Sequence, residues 1–426
     1  MKYSVYCLGC KVNLYEAESV AEQMDAGGWQ RVPFEEEADA VLVFTCAVTN
    51  TAAAKSRKML HRARRISPQA ALVLVGCYVQ VDDGQLAGAD ILVGTAHKQE
   101  IPALIERFLQ DRVPVKAVTP VDHVPYDDLR SENFAGRTRA FLKVQDGCDQ
   151  FCSYCVIPYT RGRQRSMDID DAVKEAKALS RTHREIVLTG IHTGRYGREH
   201  GTTLADLAER ILKETDILRL RISSIEVTEV DEKLLSLIAE EERVARHLHI
   251  PLQAGSDSVL RNMHRPYTTE EYLNCLKHIR ERVPDISIST DLITGFPQES
   301  EEDFRQTYAF LKECEFSFLH VFPFSLRSGT EAEKMKGHIP EPVKKDRAAK
   351  CLKLSDELQR TWMEKWIGRS VYILTETAKD GMTSGYTSEY IPVTIAGELP
   401  ASQYIKVKLT EVTDDLRMKG EIYETE

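Results

Sequence analysis

The chain has 426 residues, a formal net charge of −10 at pH 7, and 42% apolar residues. This length is too great for one ordinary core and predicts two or three domains. The negative charge argues against nucleic acid coating the whole surface, but it leaves room for a local basic surface. No apolar run approaches the roughly 20 residues that cross a bilayer, and the strand-like start lacks the apolar core of a signal peptide. We therefore expect a cytoplasmic protein without a membrane segment.

Residues 1–118 alternate strand and helix patterns. The predicted strands are Tyr3–Leu8, Ala40–Phe44, Leu72–Val75 and Ile91–Val93, and helical patterns between them include Asn13–Met24 and Ala52–Arg65. Repeated strand-then-helix order predicts a parallel sheet covered by helices. The following stretch, 119–137, is rich in Pro, Asp and polar residues and has no sustained period. It is predicted to be a linker.

Residues 138–366 carry six further strand-and-helix units. Their predicted strands are Phe141–Val144, Ile186–Thr189, Leu220–Ile225, Leu248–Leu252, Ile286–Ile293 and Phe318–Phe322. Six successive units predict a partial (β/α)6 barrel, with its active site at the carboxyl ends of the strands. After a helical stretch at 342–366, residues 367–426 contain short strands broken by Gly, Pro and Asp. The predicted fold class is therefore α/β with a small C-terminal all-β barrel.

Cys148, Cys152 and Cys155 follow the first strand of the predicted barrel at the spacing C-x3-C-x2-C. The cytosol keeps thiols reduced, so clustered cysteines there indicate metal binding or catalysis before disulfides. Three thiolates so close can hold three corners of a 4Fe–4S cluster and leave one iron open to another ligand. Zinc is the alternative, but structural zinc normally takes four ligands from paired knuckles, and this segment has no second knuckle. The spacing therefore predicts an iron–sulfur cluster.

A second set of cysteines lies at the ends of the first three long strands, at Cys10, Cys46 and Cys77. Ligands gather at the carboxyl edge of an open α/β sheet, so neighbouring strands would bring these thiols together. Burial in the core is the alternative for each of them. Three equivalent positions favour a second cluster, with Cys7 as a possible replacement for Cys10. The other cysteines, which lie singly in helical patterns and are predicted to pack, are Cys275, Cys314 and Cys351.

With both cysteine sets placed, the chain resembles the methylthiotransferase family of radical S-adenosylmethionine (SAM) enzymes over nearly its whole length. The segments Gly9–Asn13 (GCKVN) and Thr45–Thr49 (TCAVT) are typical of the threonylcarbamoyladenosine tRNA branch. At the first segment, the isopentenyladenosine branch tends to carry GCQMN and the ribosomal-protein branch GCPKN. The segments His249–Ser256 and Asp291–Pro297 also resemble the family.

The resemblance implies an enzyme that converts N6-threonylcarbamoyladenosine (t6A) to its 2-methylthio derivative (ms2t6A). The nucleoside would be at position 37, next to the anticodon, in tRNAs that read codons beginning with A. Two 4Fe–4S clusters would take part, one on each cysteine set, with two SAM molecules per turnover. An electron donor such as flavodoxin or ferredoxin and a sulfur donor would be needed. The partner would be the tRNA anticodon stem-loop.

The resemblance also implies the division of the chain. It gives an N-terminal methylthiotransferase domain (1–118), a linker (119–137), a radical SAM domain (138–366) and a TRAM-like RNA-binding domain (367–426). Two alternatives keep the same chemistry, with either an aspartate of a ribosomal protein or isopentenyladenosine in tRNA as the substrate. A third alternative is a non-catalytic iron–sulfur or zinc protein that binds RNA.

Residues near the predicted strand ends and in the cluster loop are expected to contact SAM, with ordinary strand-end structure as the alternative. They are Tyr154, Thr189, Gly190, Ser224, Glu226, Gln253, Ile293 and Gly295. For RNA, the segment 55–65 carries six Lys or Arg, which form either a solvated surface or a phosphate-binding surface. The predicted RNA contacts are Arg57, Lys58, Arg62, Arg65, Arg161, Arg163, Lys406 and Lys408. Residues 367–426 contain six Lys or Arg against ten Asp or Glu, so RNA binding there would need a local face or tRNA shape.

Overall fold

The computed structural model describes residues 1–81, 86, 88–122, 124–127, 129–134 and 136–423. Residues 123, 128 and 135 of the predicted linker and the last three residues of the predicted C-terminal domain lie outside the described residues. Within the described parts, no helix is both long enough and apolar enough to cross a membrane.

The N-terminal part is a parallel sheet with the strand order β2-β1-β3-β4-β5-β6. Its strands are β1 (Lys2–Cys7), β2 (Gln30–Arg31), β3 (Ala40–Thr45), β4 (Ala71–Gly76), β5 (Ile91–Val93) and β6 (Val115–Ala117). Its helices are α1 (Lys11–Ala26), α2 (Asn50–Ile66), α3 (Cys77–Val81) and α4 (Ile101–Asp111). Strands β3 and β4 are buried along their whole length, which explains their unbroken apolar sequences. The predicted parallel sheet is confirmed, while the short edge strands β2 and β6 were not predicted.

The middle part is an open barrel of six parallel strands in two sheets, β11-β10-β7 and β12-β13-β14. Bridges between Leu220 and Val244 and between Ser224 and His249 join the two sheets. The strands are β7 (Arg139–Lys143), β10 (Glu185–Thr189), β11 (Arg219–Ile222), β12 (His247–His249), β13 (Ser287–Thr294) and β14 (Phe318–Pro323), and the short pair β8 (Gln145–Asp146) and β9 (Arg165–Ser166) lies beside them. The predicted partial barrel is confirmed.

Helices on the barrel begin at residues that can satisfy their free N–H groups. Capping boxes, in which the cap residue and the third helical residue bond to each other's backbone, start α7 at Thr203, α10 at Thr268 and α11 at Ser300. The helices are α5 (Ile157–Arg161), α6 (Ile169–Ser180), α7 (Leu204–Glu214), α8 (Glu232–Glu240), α9 (Asp257–Asn262), α10 (Thr269–Arg282), α11 (Glu301–Glu313), α12 (Glu331–Lys334) and α13 (Glu341–Glu364). Short 3-10 turns lie at Lys98–Glu100, Thr193–Arg195, Arg198–His200 and Val227–Glu229.

The C-terminal part is a closed barrel with the strand order β15-β16-β17-β19-β18, as the sequence predicted. Its strands are β15 (Ser370–Lys379), β16 (Met382–Tyr386), β17 (Pro392–Ala396), β18 (Tyr404–Val412) and β19 (Met418–Ile422). It docks on the middle part through two buried arginines of β11. Arg219 donates hydrogen bonds to the carbonyl oxygens of Tyr386 and Thr387, and Arg221 to those of Thr387 and Ser388.

The N-terminal part also packs on the middle part, and Glu175 of α6 lies at that contact. Its Oε1 accepts hydrogen bonds from the hydroxyl of Tyr15 at 2.7 Å and from the backbone N–H of Ser131 at 3.1 Å. Burial raises the pKa of Glu175 to about 7, although these bonds and Arg130 act in the opposite direction. The folded protein therefore holds this proton more tightly than the unfolded chain does.

Glu175→Gln should remove a part of the pH dependence of stability. For a carboxyl whose pKa rises from 4.5 to about 7 on folding, the free energy of unfolding falls as the pH rises through that range. The loss from this one group is at most about 3 kcal/mol. Urea unfolding at pH 5 and pH 8 should therefore show a smaller pH effect for Glu175→Gln than for wild type. Glu106→Gln, at an exposed position of α4, should leave the pH effect unchanged. An equal pH effect in Glu175→Gln and wild type would contradict this assignment.

Candidate active site

The cysteine loop after β7 and β8 closes tightly at Gly147. Gly147 has a φ of +72°, and a Cβ on it would lie 2.0 Å from the carbonyl oxygen of Arg163. Only glycine fits this conformation and this space. The loop then presents Cys148, Cys152 and Cys155. Burial, and then the neighbouring Cys152 and Cys148, raise the pKa of the Cys155 thiol to about 12.

Hydrogen-bond donors surround the sulfurs of this loop. The backbone N–H of Gln150 donates to Sγ of Cys148 at 3.4 Å. The guanidinium of Arg265 donates to Sγ of Cys152 at 3.4 Å and also pairs with Glu226. Donors and a cation aimed at sulfur stabilise thiolates, which are the form that binds iron. The surroundings of these cysteines therefore fit a cluster.

A buried pair, His192 and Glu229, stands next to Cys148. Nδ1 of His192 lies 3.3 Å from Sγ of Cys148, and its Nε2 lies 2.8 Å from Oε1 of Glu229. Burial lowers the pKa of His192, but the contacts with Cys148 and Glu229 outweigh it and raise that pKa to about 9. This pair was not predicted from the sequence, where the available signal is the position of His192 three residues after the end of β10.

The second set of cysteines meets at the carboxyl edge of the N-terminal sheet. Cys10 precedes α1, Cys46 follows β3, and Cys77 begins α3 after β4. Gly9 has a φ of +99°, and a Cβ on it would lie 2.8 Å from Cβ of Cys46. The backbone beside Cys10 therefore touches Cys46. Burial raises the pKa of the Cys46 thiol to about 11, and Cys77 and Cys10 contribute to the rise.

In neither cysteine set do all three sulfurs lie within 4.8 Å of one another. Zn–S bonds of about 2.3 Å would bring the sulfurs of a zinc site within roughly 4 Å of one another. In the part of the chain that the structure describes, the group of three potential ligands within 4.8 Å of one another is His249, Asp291 and His320. This spacing of the sulfurs does not match a single zinc ion, and the iron–sulfur assignment continues to rest on the C-x3-C-x2-C spacing.

A cavity of about 250 Å³, the first cavity, adjoins the cluster loop. Tyr154, Gln253 and Ile293, three of the residues expected to contact SAM, line it together with Cys155. The N-terminal part closes the same cavity through Val48 and Thr49, which follow Cys46. Asp291, the first residue of the segment Asp291–Pro297, also lines it.

The other residues expected to contact SAM do not line this cavity. Glu226 is held next to Cys152 through Arg265, and Ser224 lines a second cavity inside the barrel. A Cβ on Gly190 would lie 2.9 Å from Gln145, so this glycine allows a close approach of the chain. Thr189, which precedes it at the end of β10, is buried.

Gly295 packs against another part of the chain. It has a φ of +73°, and a Cβ on it would lie 2.4 Å from Cγ of Lys344. Its N–H donates to Oε2 of Glu299 at 2.9 Å. Gly295 does not line the first cavity, so a role in shaping the strand end explains the glycine.

Arg161 does not reach the surface, and the prediction that it contacts RNA is wrong. Its side chain is 0% exposed. It donates hydrogen bonds to Glu16 at 2.9 Å, to Asp146 at 3.1 Å and to Sγ of Cys77 at 3.2 Å. Arg161 therefore connects the N-terminal part to the barrel and places a buried cation beside one thiol of the second set.

The basic segment 55–65 lies on α2, and its cations differ in their partners. Arg57 bonds to Tyr78, and Arg62 pairs with Glu35 at 3.1 Å. The exposed cations of this helix are Lys55, Lys58 and Arg65. Among the other predicted RNA contacts, the side chain of Arg163 is 66% exposed and its guanidinium lies 3.3 Å from the carboxylate of Asp149. Lys408 is exposed. The amine of Lys406 lies over the ring of Tyr372.

Two known families and several relatives match the chain. Residues 142–311 match the Radical SAM superfamily, and residues 2–94 match the uncharacterized protein family UPF0004. Threonylcarbamoyladenosine tRNA methylthiotransferase MtaB of Bacillus subtilis is 37% identical over 95% of this chain and 92% of the relative. The enzyme of the same name from Aquifex aeolicus is 38% identical over 91% of this chain and 95% of the relative. The tRNA-2-methylthio-N(6)-dimethylallyladenosine synthase of Thermodesulfovibrio yellowstonii is 32% identical over 98% of this chain and 97% of the relative.

Two radical SAM enzymes are among the solved structures with a similar fold. The methyltransferase TsrM from Kitasatospora setae, with cobalamin and a [4Fe-4S] cluster bound, has a TM-score of 0.57 and 12% identity over 90% of this chain and 77% of that chain. The cobalamin-dependent enzyme OxsB has a TM-score of 0.52 and 11% identity over 85% of this chain and 56% of that chain. At these identities the similarity concerns the fold.

Proposed function

The chain belongs to the methylthiotransferase family of radical SAM enzymes, and on this premise we propose that it converts t6A at position 37 of tRNA to ms2t6A. Its substrates would be tRNAs that read codons beginning with A. The substrate branch is supported by GCKVN at Gly9–Asn13 and by relatives named for t6A at 37% and 38% identity. Relatives named for dimethylallyladenosine reach 32%, and two further relatives named for t6A are 30% and 32% identical.

The observation that carries the proposal is the shared first cavity. Tyr154 and Cys155 come from the loop of the first cysteine set, while Val48 and Thr49 lie two and three residues after Cys46 of the second set. The first set therefore borders this space and the segment that follows Cys46 closes it, so a substrate atom there would lie between the two sets. An aromatic C–H offers no acidic proton, so a general base cannot start its replacement.

We infer two clusters and two SAM molecules per turnover as cofactors. Cys148, Cys152 and Cys155 would hold one cluster, and Cys10, Cys46 and Cys77 the other. When bound, these groups supply electron transfer, reductive cleavage of SAM, the inserted sulfur and the methyl group. The protein supplies position and electrostatics.

The side chains around the sulfurs have separate roles. Arg265 and the pair of His192 and Glu229 hold Cys152 and Cys148 in place and compensate thiolate charge. Arg161 does the same for Cys77. Tyr154, Gln253 and Ile293 would contact the nucleoside of SAM, with the N-terminal part excluding water from the first cavity.

The remaining partners follow from this chemistry. The reaction needs a low-potential electron donor, such as flavodoxin or ferredoxin, and a sulfur donor. The tRNA anticodon stem-loop is the substrate, so the protein would work in the cytoplasm. The C-terminal barrel and the exposed cations of α2 are the candidate RNA surfaces.

The direct test uses anaerobically reconstituted protein and three synthetic substrates. These are an anticodon stem-loop with t6A, the same stem-loop with isopentenyladenosine, and a ribosomal-protein peptide that contains the target aspartate. Mass spectrometry should find the methylthio product with the t6A stem-loop and at most traces with the others. Methylthiolation of the peptide or of isopentenyladenosine in preference to t6A would contradict the proposed substrate. SAM that stays uncleaved in reduced, iron-loaded protein would contradict the reaction class.

The exposed cations of α2 should contribute to tRNA binding through phosphates. Each lost phosphate contact lowers the slope of log affinity against log salt by about 0.7–0.9. Changing Lys55, Lys58 and Arg65 to Gln should therefore weaken binding and lower the magnitude of this slope by about 2–3, measured by fluorescence anisotropy between 50 and 200 mM salt. A control variant changes three exposed lysines on other helices to Gln, namely Lys213, Lys277 and Lys353, and should keep the slope. An unchanged slope in the α2 variant would mean that this run is a solvated surface.

A further inference from the structure

The second cavity lies inside the barrel, has a volume of about 280 Å³ and borders the first cavity. Its basic and imidazole side chains are Lys11, Arg139, Arg221, His247, His249 and His320. None of the described residues that line it is acidic. One contact separates it from the first cavity: His249, which lines the second cavity, pairs with Asp291, which lines the first, with Nε2 and Oδ1 separated by 3.3 Å. This electrostatic character suits a small anionic group.

Lys11 is the cation in this cavity whose charge has no partner in the described residues. Arg139 pairs with Glu376 at 2.9 Å, and Arg221 pairs with Glu185 at 2.7 Å. The side chain of Lys11 makes no hydrogen bond or ion pair with any described residue and is open to solvent. Its charge is therefore available to a ligand.

Besides Lys11, a second side chain that lines the second cavity has a polar atom without a partner. His247 is 6% exposed, and its Nδ1 has no hydrogen-bond partner among the described residues. Its Nε2 lies 3.0 Å from the hydroxyl of Ser289, and its ring stacks on that of Tyr390. A buried polar atom without a partner costs free energy unless a ligand or water satisfies it. The cavity thus offers a free ammonium group and a free imidazole nitrogen.

We propose that this cavity binds the threonyl carboxylate of t6A and that Lys11 forms the ion pair with it. The inference rests on the proposed function and names the residue that selects the substrate. In adenine, C6, which carries the N6 substituent, and C2, where sulfur is inserted, are both bonded to N1. A residue that contacts the N6 substituent must therefore lie close to the group that acts at C2. Lys11 meets this condition because it follows Cys10 of the second cysteine set directly.

Size and charge both favour the threonylcarbamoyl group as the occupant. Pockets of roughly 300–1,000 Å³ hold drug-sized ligands, so a smaller cavity suits a substituent better than a whole nucleoside. An isopentenyl group carries no charge and would leave the Lys11 ammonium unpaired. The isopentenyladenosine branch tends to have Gln at this position, in GCQMN, which matches a neutral substituent.

The test compares two stem-loops that differ in one group. One carries t6A, and the other carries the same nucleoside with threoninamide, which keeps the size and removes the negative charge. Wild type should prefer the carboxylate by roughly 10- to 100-fold in kcat/KM, as expected for one charge-assisted bond. Lys11→Gln should lose most of this preference, and Lys11→Arg should keep most of it. Lys2→Gln, at an exposed position of β1, is the matched control and should behave as wild type.

The possible results separate this inference from the proposed function. Iron content is measured for every variant, because Lys11 adjoins Cys10. Lys11→Gln protein with full iron and an unchanged preference for the carboxylate would overturn the inference alone. A wild-type enzyme that uses the carboxylate and the amide equally well would also overturn it, even if no variant could be purified. A wild-type enzyme that cleaves SAM but modifies neither stem-loop would overturn the proposed function and this inference with it.

Discussion

A triple variant should bind about four iron atoms per chain, against about eight in wild type, when Ala replaces Cys148, Cys152 and Cys155. The reason is that each cysteine set suits one 4Fe–4S cluster. It should also form no 5′-deoxyadenosine from SAM. The physical reason is that no other thiol of the middle part is placed to replace these ligands, since Cys314 and Cys351 are buried in the core and Cys275 lies on α10. Iron analysis and product analysis by mass spectrometry give both numbers.

The matched control changes three cysteines outside both sets, Cys275, Cys314 and Cys351, to Ala. It should keep about eight irons, and circular dichroism should report a folded protein for both triple variants. If the Cys148, Cys152 and Cys155 variant kept all its iron, the assignment of these three ligands would be wrong.

Replacing Cys10, Cys46 and Cys77 by Ala should abolish methylthiolation and leave reductive cleavage of SAM in place. The two sets lie on different elements, and the donors around the first set, Arg265 and His192, belong to the barrel. Loss of the second set should therefore leave the first intact. The measurements are ms2t6A and 5′-deoxyadenosine formed in the same anaerobic reaction.

The Cys7→Ala variant tests whether Cys7 or Cys10 is the cluster ligand of the second cysteine set. Cys7 ends β1, whereas Cys10 adjoins Gly9, which touches Cys46. Cys7→Ala should keep both iron and methylthiolation.

For the variant in which Cys10, Cys46 and Cys77 are changed to Ala, folded protein that no longer cleaves SAM would count against two independent clusters.

The strands and the cysteine sets could be predicted because their signals are local. Strands β3 and β4 each contain an unbroken apolar run of five residues, and the C-x3-C-x2-C spacing is contained in eight residues. Strand β16 (Met382–Tyr386) could not be predicted from its own sequence, MTSGY, because it has no apolar alternation. It forms because β15 and β17 pair with it on both sides, so neighbouring strands outweigh local preference.

The electrostatic part of the site could not be predicted, because it depends on residues far apart in the chain. Arg161 and Glu16 are separated by 145 positions, and Arg265 and Cys152 by 113. A basic residue in a sequence has the same appearance whether it faces solvent or a buried carboxylate, and this is why Arg161 was assigned to RNA. The pairing of His192 with Glu229 was missed for the same reason.

The measurement that tests the central claim most directly is mass spectrometry of tRNA nucleosides from cells that lack the protein. The account predicts that ms2t6A disappears and t6A accumulates, while the 2-methylthio derivative of isopentenyladenosine is unchanged. Wild-type protein supplied in trans should restore ms2t6A, and the Cys148, Cys152 and Cys155 variant should not. Unchanged ms2t6A in these cells, with loss of the methylthio group from isopentenyladenosine or from a ribosomal protein, would contradict the account.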